Sequence, residues 1–227
     1  MRKILDMLFP PKCAGCNQAA GHIICAGCLG EIMRESMRGC KVCAKPPYLC
    51  ECKSIANIDG LVFPYFYEGE KLKFAVYKLK RANLYYINEF FAKGMYNSVK
   101  MCDRINLENI GAVCCAPRAR KSVNIYGYNQ AEKLARLFAA YSGLSFRRAL
   151  RPAGRIAEQK TLGRDERILN VRGKFAIAKG FDAEELRGRD IMLVDDVATT
   201  GATLSECARV LKEAGAGRVY AVCAAST

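Results

Sequence analysis

Apolar residues follow two alternating patterns along most of the chain. Short continuous apolar runs are typical of buried parallel strands, and apolar residues at three- and four-residue spacing are typical of amphipathic helices. In chain order, these patterns predict helices over 72–79 and 87–99, then a strand over 110–115, a helix over 130–141, a strand over 191–194, a helix over 204–214 and a strand over 218–223. This alternation predicts right-handed βαβ units, and so an α/β fold with an open, mainly parallel sheet flanked by helices.

The front of the chain does not share this alternation. Apart from a short helical run at 29–37, residues 1–56 show little periodicity, and they contain eight of the 13 cysteines. A segment of this size cannot bury enough apolar surface to fold without a staple. A strand predicted over 61–67 begins the second part. The sequence therefore predicts a cysteine-rich module over 1–56 and an α/β domain over 57–227.

The cysteines of the first part come in four closely spaced pairs. A Cys-x2-Cys turn presents two thiolates to one tetrahedral Zn²⁺ and a second pair completes the site, so four pairs suit two structural zinc ions in a zinc-ribbon-like module. The pairs could combine sequentially or crosswise, and an iron–sulfur cluster or reduced thiols are the alternatives to zinc. The pairs are Cys13 and Cys16, Cys25 and Cys28, Cys40 and Cys43, and Cys50 and Cys52. The five scattered cysteines are expected to be small buried residues.

The chain is strongly basic, with a formal net charge of +14 over 227 residues. Residues 112–172 alone hold thirteen Lys and Arg against four Asp and Glu. Such a block indicates a polyanionic partner, although an ordinary solubilising surface is the alternative. Its polar end, 151–172, is predicted to form a mobile flap. No apolar window of the sequence is long enough to span a membrane. Asp6 interrupts the apolar start of the chain and Pro10-Pro11 ends it, which argues against a signal peptide, so we expect a cytoplasmic protein.

The most informative motif spans residues 191–204. Four apolar residues lead to Asp195 and Asp196, which places two carboxylates at the C-terminal edge of the predicted sheet, where open α/β folds bind ligands. The carboxylates can accept hydrogen bonds from the vicinal hydroxyls of a ribose. A turn of small and hydroxylated residues then enters a helix, whose N-terminus is an anion site. The residues of this turn are Ala198, Thr199, Thr200, Gly201, Ala202 and Thr203. The motif therefore predicts a site for ribose 5-phosphate, whereas each feature alone would only end a strand or cap a helix.

This stretch resembles the 5-phosphoribosyl 1-diphosphate signature of type I phosphoribosyltransferases. The whole chain resembles the ComF family of competence proteins, which join a zinc-binding N-terminus to such a domain. Further matching positions are Leu8-Phe9-Pro10-Pro11, the paired cysteines, Tyr67-Glu68-Gly69, Leu79-Lys80, Pro117, Gly127-Tyr128-Asn129-Gln130, Gln159, Arg167-Ile168-Leu169-Asn170 and Phe175.

The resemblance implies a role for several more residues. Pro117, Arg118 and Lys80 would bind diphosphate, Mg²⁺ would accompany phosphoribosyl diphosphate, and Asp195 and Asp196 would act in catalysis. For Arg118 and Lys80, solvated surface charge is the alternative. The residues expected to contact nucleic acid are Arg120, Lys121, Tyr128, Asn129 and Gln130. Tyr126 stands where the family usually has arginine before the Gly-aromatic-Asn-Gln run, which puts one diphosphate or DNA contact in doubt.

Three functions are compatible with these features. The first is handling of incoming single-stranded DNA during natural transformation, with helicase-like and recombination-mediator proteins as implied partners at the inner face of the membrane. The second is a salvage-type phosphoribosyltransferase acting on a free base or amine. The third is a regulator that senses phosphoribosyl diphosphate. The resemblance favours the first, with phosphoribose binding retained, and leaves open whether turnover occurs.

Overall fold

The computed structural model describes residues 12–81, 85–118, 129–153 and 171–227. Within these residues the strands are β1 (Gly60–Val62), β2 (Ile110–Cys115), β3 (Leu150–Pro152), β4 (Phe175–Ile177), β5 (Asp190–Ala198) and β6 (Val219–Ser226). Four of them form one parallel sheet in the spatial order β1-β6-β5-β2. The short strands β3 and β4 pair antiparallel and form a separate sheet. The predicted parallel α/β architecture is confirmed.

The helices lie where the apolar spacing predicts them, with ends that differ by at most three residues. Gly143, with a φ of 71°, ends the helix before it, as the sequence predicts for a glycine at this position. No helix in the described ranges is long and apolar enough to cross a membrane. The helices are α1 (Ala26–Met37), α2 (Glu70–Arg81), α3 (Tyr85–Lys100), α4 (Gln130–Ser142) and α5 (Ala202–Glu213).

Two strand predictions need correction. The strand predicted over 61–67 ends at Val62. Pro64 has no N–H for a ladder, and Phe66 rejoins β6 only through a single bridge to Ser226. The strand predicted over 191–194 continues to Ala198 and so takes in both carboxylates. The predicted flap over 151–172 begins in β3, and its residues 154–170 lie outside the described part of the chain.

Each face of the parallel sheet is covered by its own hydrophobic core. Along β5, Met192 and Val194 point to the core formed with α2, α3 and α4. Ile191 and Leu193 point to the other core, formed with α5 and the β3–β4 sheet. This alternation is the two-residue period of a strand buried on both faces. It also decides on which face each residue of the following motif lies.

The cysteine-rich segment packs against both cores. Cys28 and Ile32 belong to the core on the α2–α4 face, whereas Cys50 and Ile55 belong to the core on the α5 face. The short 3₁₀ turn Pro47–Leu49 lies against β1. The cysteine-rich segment thus straddles the β1 side of the sheet. The five scattered cysteines are buried as expected; they are Cys102, Cys114, Cys115, Cys207 and Cys223.

Candidate functional site

Asp195 and Asp196, which we call the acid pair, lie near the C-terminal end of β5, at the edge of the parallel sheet. Each carboxylate accepts a hydrogen bond from the backbone N–H of the next residue: the Asp196 N–H donates to Asp195 Oδ1 at 2.8 Å, and the Val197 N–H donates to Asp196 Oδ1 at 2.6 Å. Each carboxylate is partly exposed and keeps lone pairs for further donors. The predicted carboxylates therefore lie at the sheet edge where ligands of this fold class bind.

Two predicted cations lie beside this pair. Lys80 of α2 places its Nζ 3.5 Å from Asp196 Oδ1. Arg118 follows β2, the strand next to β5, and the Ala116 N–H just before it donates to the Val194 carbonyl at 2.9 Å. The charge of Arg118 also acts on Asp195. The fold thus brings together residues that are more than seventy positions apart in sequence.

The acid pair has an unusual proton equilibrium. The pKa of Asp195 is raised to about 7, mainly by burial and secondly by the neighbouring negative charge of Asp196. Lys80 and Arg118 act in the opposite direction because a nearby cation favours the carboxylate. The charge of Asp196, against the effect of burial, raises the pKa of Lys80. Lys80 is therefore a stable ammonium, while Asp195 titrates close to neutral pH.

The turn after β5 has the geometry of an anion cradle. Gly201 holds a φ of 79°, in the left-handed region that favours glycine, and begins α5. The Ala202 N–H points back to Thr200 Oγ1 at 3.4 Å, and Thr199 is exposed. The N-terminus of α5 thus supplies N–H groups and a positive dipole end next to two threonine hydroxyls. This combination of hydroxyls and N–H groups suits a phosphate.

The segment just after Cys52, the last of the paired cysteines, supports this turn. Lys53 Nζ donates to the Ala198 carbonyl at 2.7 Å and to the carbonyl and hydroxyl oxygens of Thr227, both at 3.0 Å. Ile55 packs so closely that a Cβ on Gly201 would lie 2.6 Å from its Cδ1. No motif in the sequence points to Lys53 as part of this site. Its position beside Cys52 was the only signal available.

An open cleft separates the cysteine-rich segment from the turn. Its volume is about 730 Å³, which is within the range of small-molecule sites. Thr199 and Thr200 line one side, and Lys53 lies on the side of the cysteines. Phe63 and Phe66, whose rings meet edge to face with centroids 5.3 Å apart, line the cleft as well. Solvent and ligands therefore have direct access to the predicted phosphate cradle.

The eight paired cysteines form two separate clusters, which we call the first and second clusters. In each one, the four Sγ atoms lie within 4.8 Å of one another. The first cluster consists of Cys13, Cys16, Cys25 and Cys28, and the second of Cys40, Cys43, Cys50 and Cys52. The pairs therefore combine sequentially, a choice that their spacing leaves open.

The sulfur geometry fits zinc. Cys16 and Cys25 place their Sγ atoms 3.9 Å apart, and Cys43 and Cys50 place theirs 3.8 Å apart. A tetrahedral ion with Zn–S bonds of about 2.3 Å requires Sγ–Sγ distances of about 3.8 Å. These distances match the edges of such a tetrahedron, so the two clusters suit two structural zinc ions.

Backbone N–H groups prepare a thiolate in each cluster. Burial acts to raise the pKa of Cys13, but N–H groups, including that of Cys25, outweigh it and lower this pKa to about 6. In the second cluster, the N–H groups of Cys43 and Val42 lower the pKa of Cys40 to about 6. Because the thiolate is the form that binds metal, these hydrogen bonds favour metal binding at neutral pH.

The residues predicted to contact nucleic acid are only partly described. Asn129 lies at the N-cap position of α4. The side chain of Gln130 is 1% exposed and donates to Asn88 Oδ1, so in this structure it joins α4 to α3 and does not reach the surface. The remaining predictions fall outside the described residues; they are Arg120, Lys121 and Tyr128.

Comparison with protein families matches two segments of the chain. Residues 4–57 match a double zinc ribbon domain, and residues 151–227 match a phosphoribosyl transferase domain. Competence protein F of Haemophilus influenzae is 26% identical over 217 residues, which are 89% of this chain and 90% of that protein. A ribose-phosphate pyrophosphokinase of Methanopyrus kandleri is 49% identical over 39 residues, which are 17% of this chain and 13% of that protein.

Two of the solved structures to which the chain is similar are an amidotransferase and a phosphoribosyltransferase. The glutamine phosphoribosylpyrophosphate amidotransferase of B. subtilis, complexed with ADP and GMP, is 14% identical with a TM-score of 0.43; the match covers 66% of this chain and 30% of that one. The purine phosphoribosyltransferase of Pyrococcus horikoshii is 15% identical with a TM-score of 0.34, and the match covers 60% and 69%. The resemblance stated from the sequence motifs is confirmed by the two domain matches and the competence relative.

Proposed function

We propose that this chain, a relative of competence protein F with a double zinc ribbon and a phosphoribosyl transferase domain, binds 5-phosphoribosyl 1-diphosphate and handles single-stranded DNA during DNA uptake. One observation supports phosphoribosyl binding above all others. The acid pair, two cations and an anion cradle meet at the C-terminal edge of one parallel sheet. These are the groups that a sugar diol, a diphosphate and a phosphate require.

Each part of the ligand has a counterpart in the site. Asp195 and Asp196 accept hydrogen bonds from the vicinal ribose hydroxyls. The N–H groups and hydroxyls of residues 199–203 bind the 5-phosphate. Arg118 and the backbone after Pro117 donate to the diphosphate. Lys80, whose Nζ lies 3.5 Å from Asp196 Oδ1, supplies a second cation. The site therefore combines acceptors for the sugar hydroxyls with donors for the phosphates.

Mg²⁺ fits this arrangement as a companion of the diphosphate. The partly exposed carboxylates are hard oxygen ligands, which Mg²⁺ prefers together with phosphate oxygens and water. When bound, the ion offsets charge on the leaving diphosphate. The protein's own contribution is to orient the sugar through Asp195 and Asp196 and to supply cations on the diphosphate side. Transfer to an acceptor is the reaction for which such a site is suited.

The DNA part of the proposal rests on different support. Competence protein F is similar to this chain over 89% of its length, and the chain has 36 Lys and Arg against 22 Asp and Glu. Such an excess favours binding of polyphosphates through counterion release. A salvage-type transferase acting on a free base or amine is the second candidate, and the complete set of phosphoribosyl contacts favours it.

The experiment that separates these functions is a titration with single-stranded DNA. Binding to an oligothymidylate is measured across a salt series, with and without Mg²⁺ and phosphoribosyl diphosphate, and in parallel for Asp195→Asn/Asp196→Asn. We expect binding that weakens steeply with salt and that shifts with the small ligand only in the wild type. Tight binding of the small ligand without DNA binding at low salt would favour the metabolic transferase. Unchanged affinity of the double variant for phosphoribosyl diphosphate would refute the site.

A further inference from the structure

The outer face of α2 exposes aromatic side chains that the core does not need. Phe74 is 38% exposed and Tyr77 is 50% exposed. Their rings are nearly parallel, with an interplanar angle of 12° and centroids 6.3 Å apart. The core is packed instead by the opposite face of this helix, formed by Leu72, Ala75, Val76 and Leu79. Aromatic residues in this position are available to a partner.

The start of α3, the next helix along the chain, also exposes two rings. Tyr85 is 59% exposed and Tyr86 is 50% exposed, and their rings meet edge to face with centroids 5.8 Å apart. Four exposed rings therefore lie on two consecutive helices. We call the surface formed by the exposed rings of these two helices, Phe74, Tyr77, Tyr85 and Tyr86, the aromatic face.

Cations are interleaved with the rings of the aromatic face. The Arg81 guanidinium lies 4.5 Å from the Tyr77 centroid and donates to the Tyr77 hydroxyl at 2.8 Å. Lys78 Nζ lies 5.1 Å from the Phe74 centroid. Along α2, five Lys and Arg stand against a single acid, Glu70. Two of these cations have other partners as well: Lys80 faces Asp196, and Lys78 donates to the Cys13 carbonyl and to Asn17 Oδ1. Aromatic rings for stacking and a cationic track for phosphates are the two elements of a sequence-tolerant single-stranded nucleic-acid site.

The charge decides which partner fits. A basic helix with exposed rings is complementary to a polyanion whose bases can stack, and each base that stacks on a ring adds its own favourable free energy. We propose that the aromatic face of α2 and α3 is the surface on which single-stranded nucleic acid lies. This inference rests on the DNA part of the proposed function, and it assigns that binding to residues outside the basic block over 112–172.

The position of α2 connects this surface to the phosphoribosyl site. Arg81 is exposed on the outer face, whereas its neighbour Lys80 reaches Asp196 at 3.5 Å on the inner side. A nucleic-acid strand bound to the aromatic face would thus contact α2, the helix that carries Lys80. The structure thereby offers a physical path by which the small ligand and the strand could influence each other.

Two substitutions test the surface against a matched control. Tyr77→Ser removes a stacking ring and should weaken oligothymidylate binding about tenfold. Arg81→Gln removes one cation and should lower the slope of log K against log salt concentration by about 0.7, the value for one phosphate contact on a single strand. Arg187→Gln removes the same charge from another exposed arginine, which is paired with Glu184, and should leave both quantities unchanged.

A fluorescent variant adds a readout that a loss of folding would not produce. The chain contains no Trp, so Tyr77→Trp creates a single indole on the aromatic face. Stacking of a base should quench its fluorescence while the affinity for oligothymidylate stays near that of the wild type. An unquenched indole under saturating DNA would overturn the inference.

The outcomes separate the inference from the function on which it rests. If the wild type binds DNA and Tyr77→Ser and Arg81→Gln bind it equally well with an unchanged salt slope, the aromatic face is wrong while the proposed function stands. If the wild type binds no DNA at low salt, both fall. Binding of anionic lipid vesicles that requires Tyr77, without DNA binding, would also overturn the inference in favour of a membrane surface.

Discussion

Replacement of Lys53 by methionine should weaken phosphoribosyl diphosphate binding, because it loosens the backbone that carries the phosphate cradle. The Lys53 ammonium donates to the Ala198 carbonyl at 2.7 Å and to two oxygens of Thr227 at 3.0 Å. Ala198 directly precedes the threonine turn, and the Thr227 hydroxyl donates to the Thr199 carbonyl at 3.4 Å. Lys53 therefore fixes the backbone from which the phosphate cradle starts.

The size of the effect follows from these contacts. Methionine keeps the aliphatic stem of Lys53 and loses all three hydrogen bonds. A hydrogen bond contributes about 0.5–1.5 kcal/mol net, and the half-buried position of Lys53 favours the lower end for each. Without these hydrogen bonds the cradle is less well held before the ligand binds, which costs about 1–2 kcal/mol of binding free energy. This loss raises the dissociation constant about 5- to 30-fold.

The assay is calorimetric titration of phosphoribosyl diphosphate with Mg²⁺, together with zinc content and melting temperature. Lys45→Met is the matched control, because it removes the same charge from the cysteine-rich segment, where Lys45 Nζ lies 3.9 Å from Glu51 Oε2. We expect two zinc ions per chain in both variants and weaker binding only for Lys53→Met. Wild-type affinity of Lys53→Met would refute the idea that the segment after Cys52 supports the cradle.

Three further perturbations probe the acid, the turn and the metal clusters. Burial raises the pKa of Asp195 to about 7, well above its unfolded value near 3.9. The wild type should therefore lose stability as pH rises from about 4 through about 7, whereas Asp195→Asn should not. Melting curves across that range measure the difference, and an equal loss in both proteins would contradict the role of burial. Gly201→Ala should lower the melting temperature, because its Cβ would meet Ile55 at 2.6 Å at a φ of 79°; Ile55→Ala should restore part of it, and an unchanged melting temperature for Gly201→Ala would show that the turn relaxes freely. Cys16→Ser and Cys43→Ser lie in different clusters and should each reduce bound zinc from two ions to one by mass spectrometry, whereas loss of both ions from either variant would contradict independent sites.

The parts of the fold that the sequence predicts are those with strong local signals. The run over 191–194 is apolar without interruption because the strand is buried on both faces, and the strand then continues through both acids to Ala198. The helix over 130–141 has its buried residues at helical spacing and a left-handed glycine after it. In both cases the local pattern and the tertiary packing require the same residues, so the prediction succeeds.

Other parts depend on contacts that no local pattern encodes. Strands β3 and β4 have three residues each and pair across the segment between them, which is too short for a two-residue period to stand out. The four cysteine pairs have nearly the same spacing, so their sequential combination is decided by packing of the two clusters on opposite faces of the sheet. Lys53 joins the site over a separation of 145 residues, and only the folded chain shows this contact.

The packing of the Pro47–Leu49 turn against β1 bears on how the protein behaves when zinc is lost. β1 lies at one end of the strand order, and an uncovered strand edge is a template for pairing with other chains. The opposite end, β2, is already paired through Val113, which exchanges backbone hydrogen bonds with Ser145 and Arg147. If the second cluster releases its ion, the edge of β1 loses its cover. We therefore expect removal of zinc from the second cluster to expose the edge of β1 and to favour aggregation.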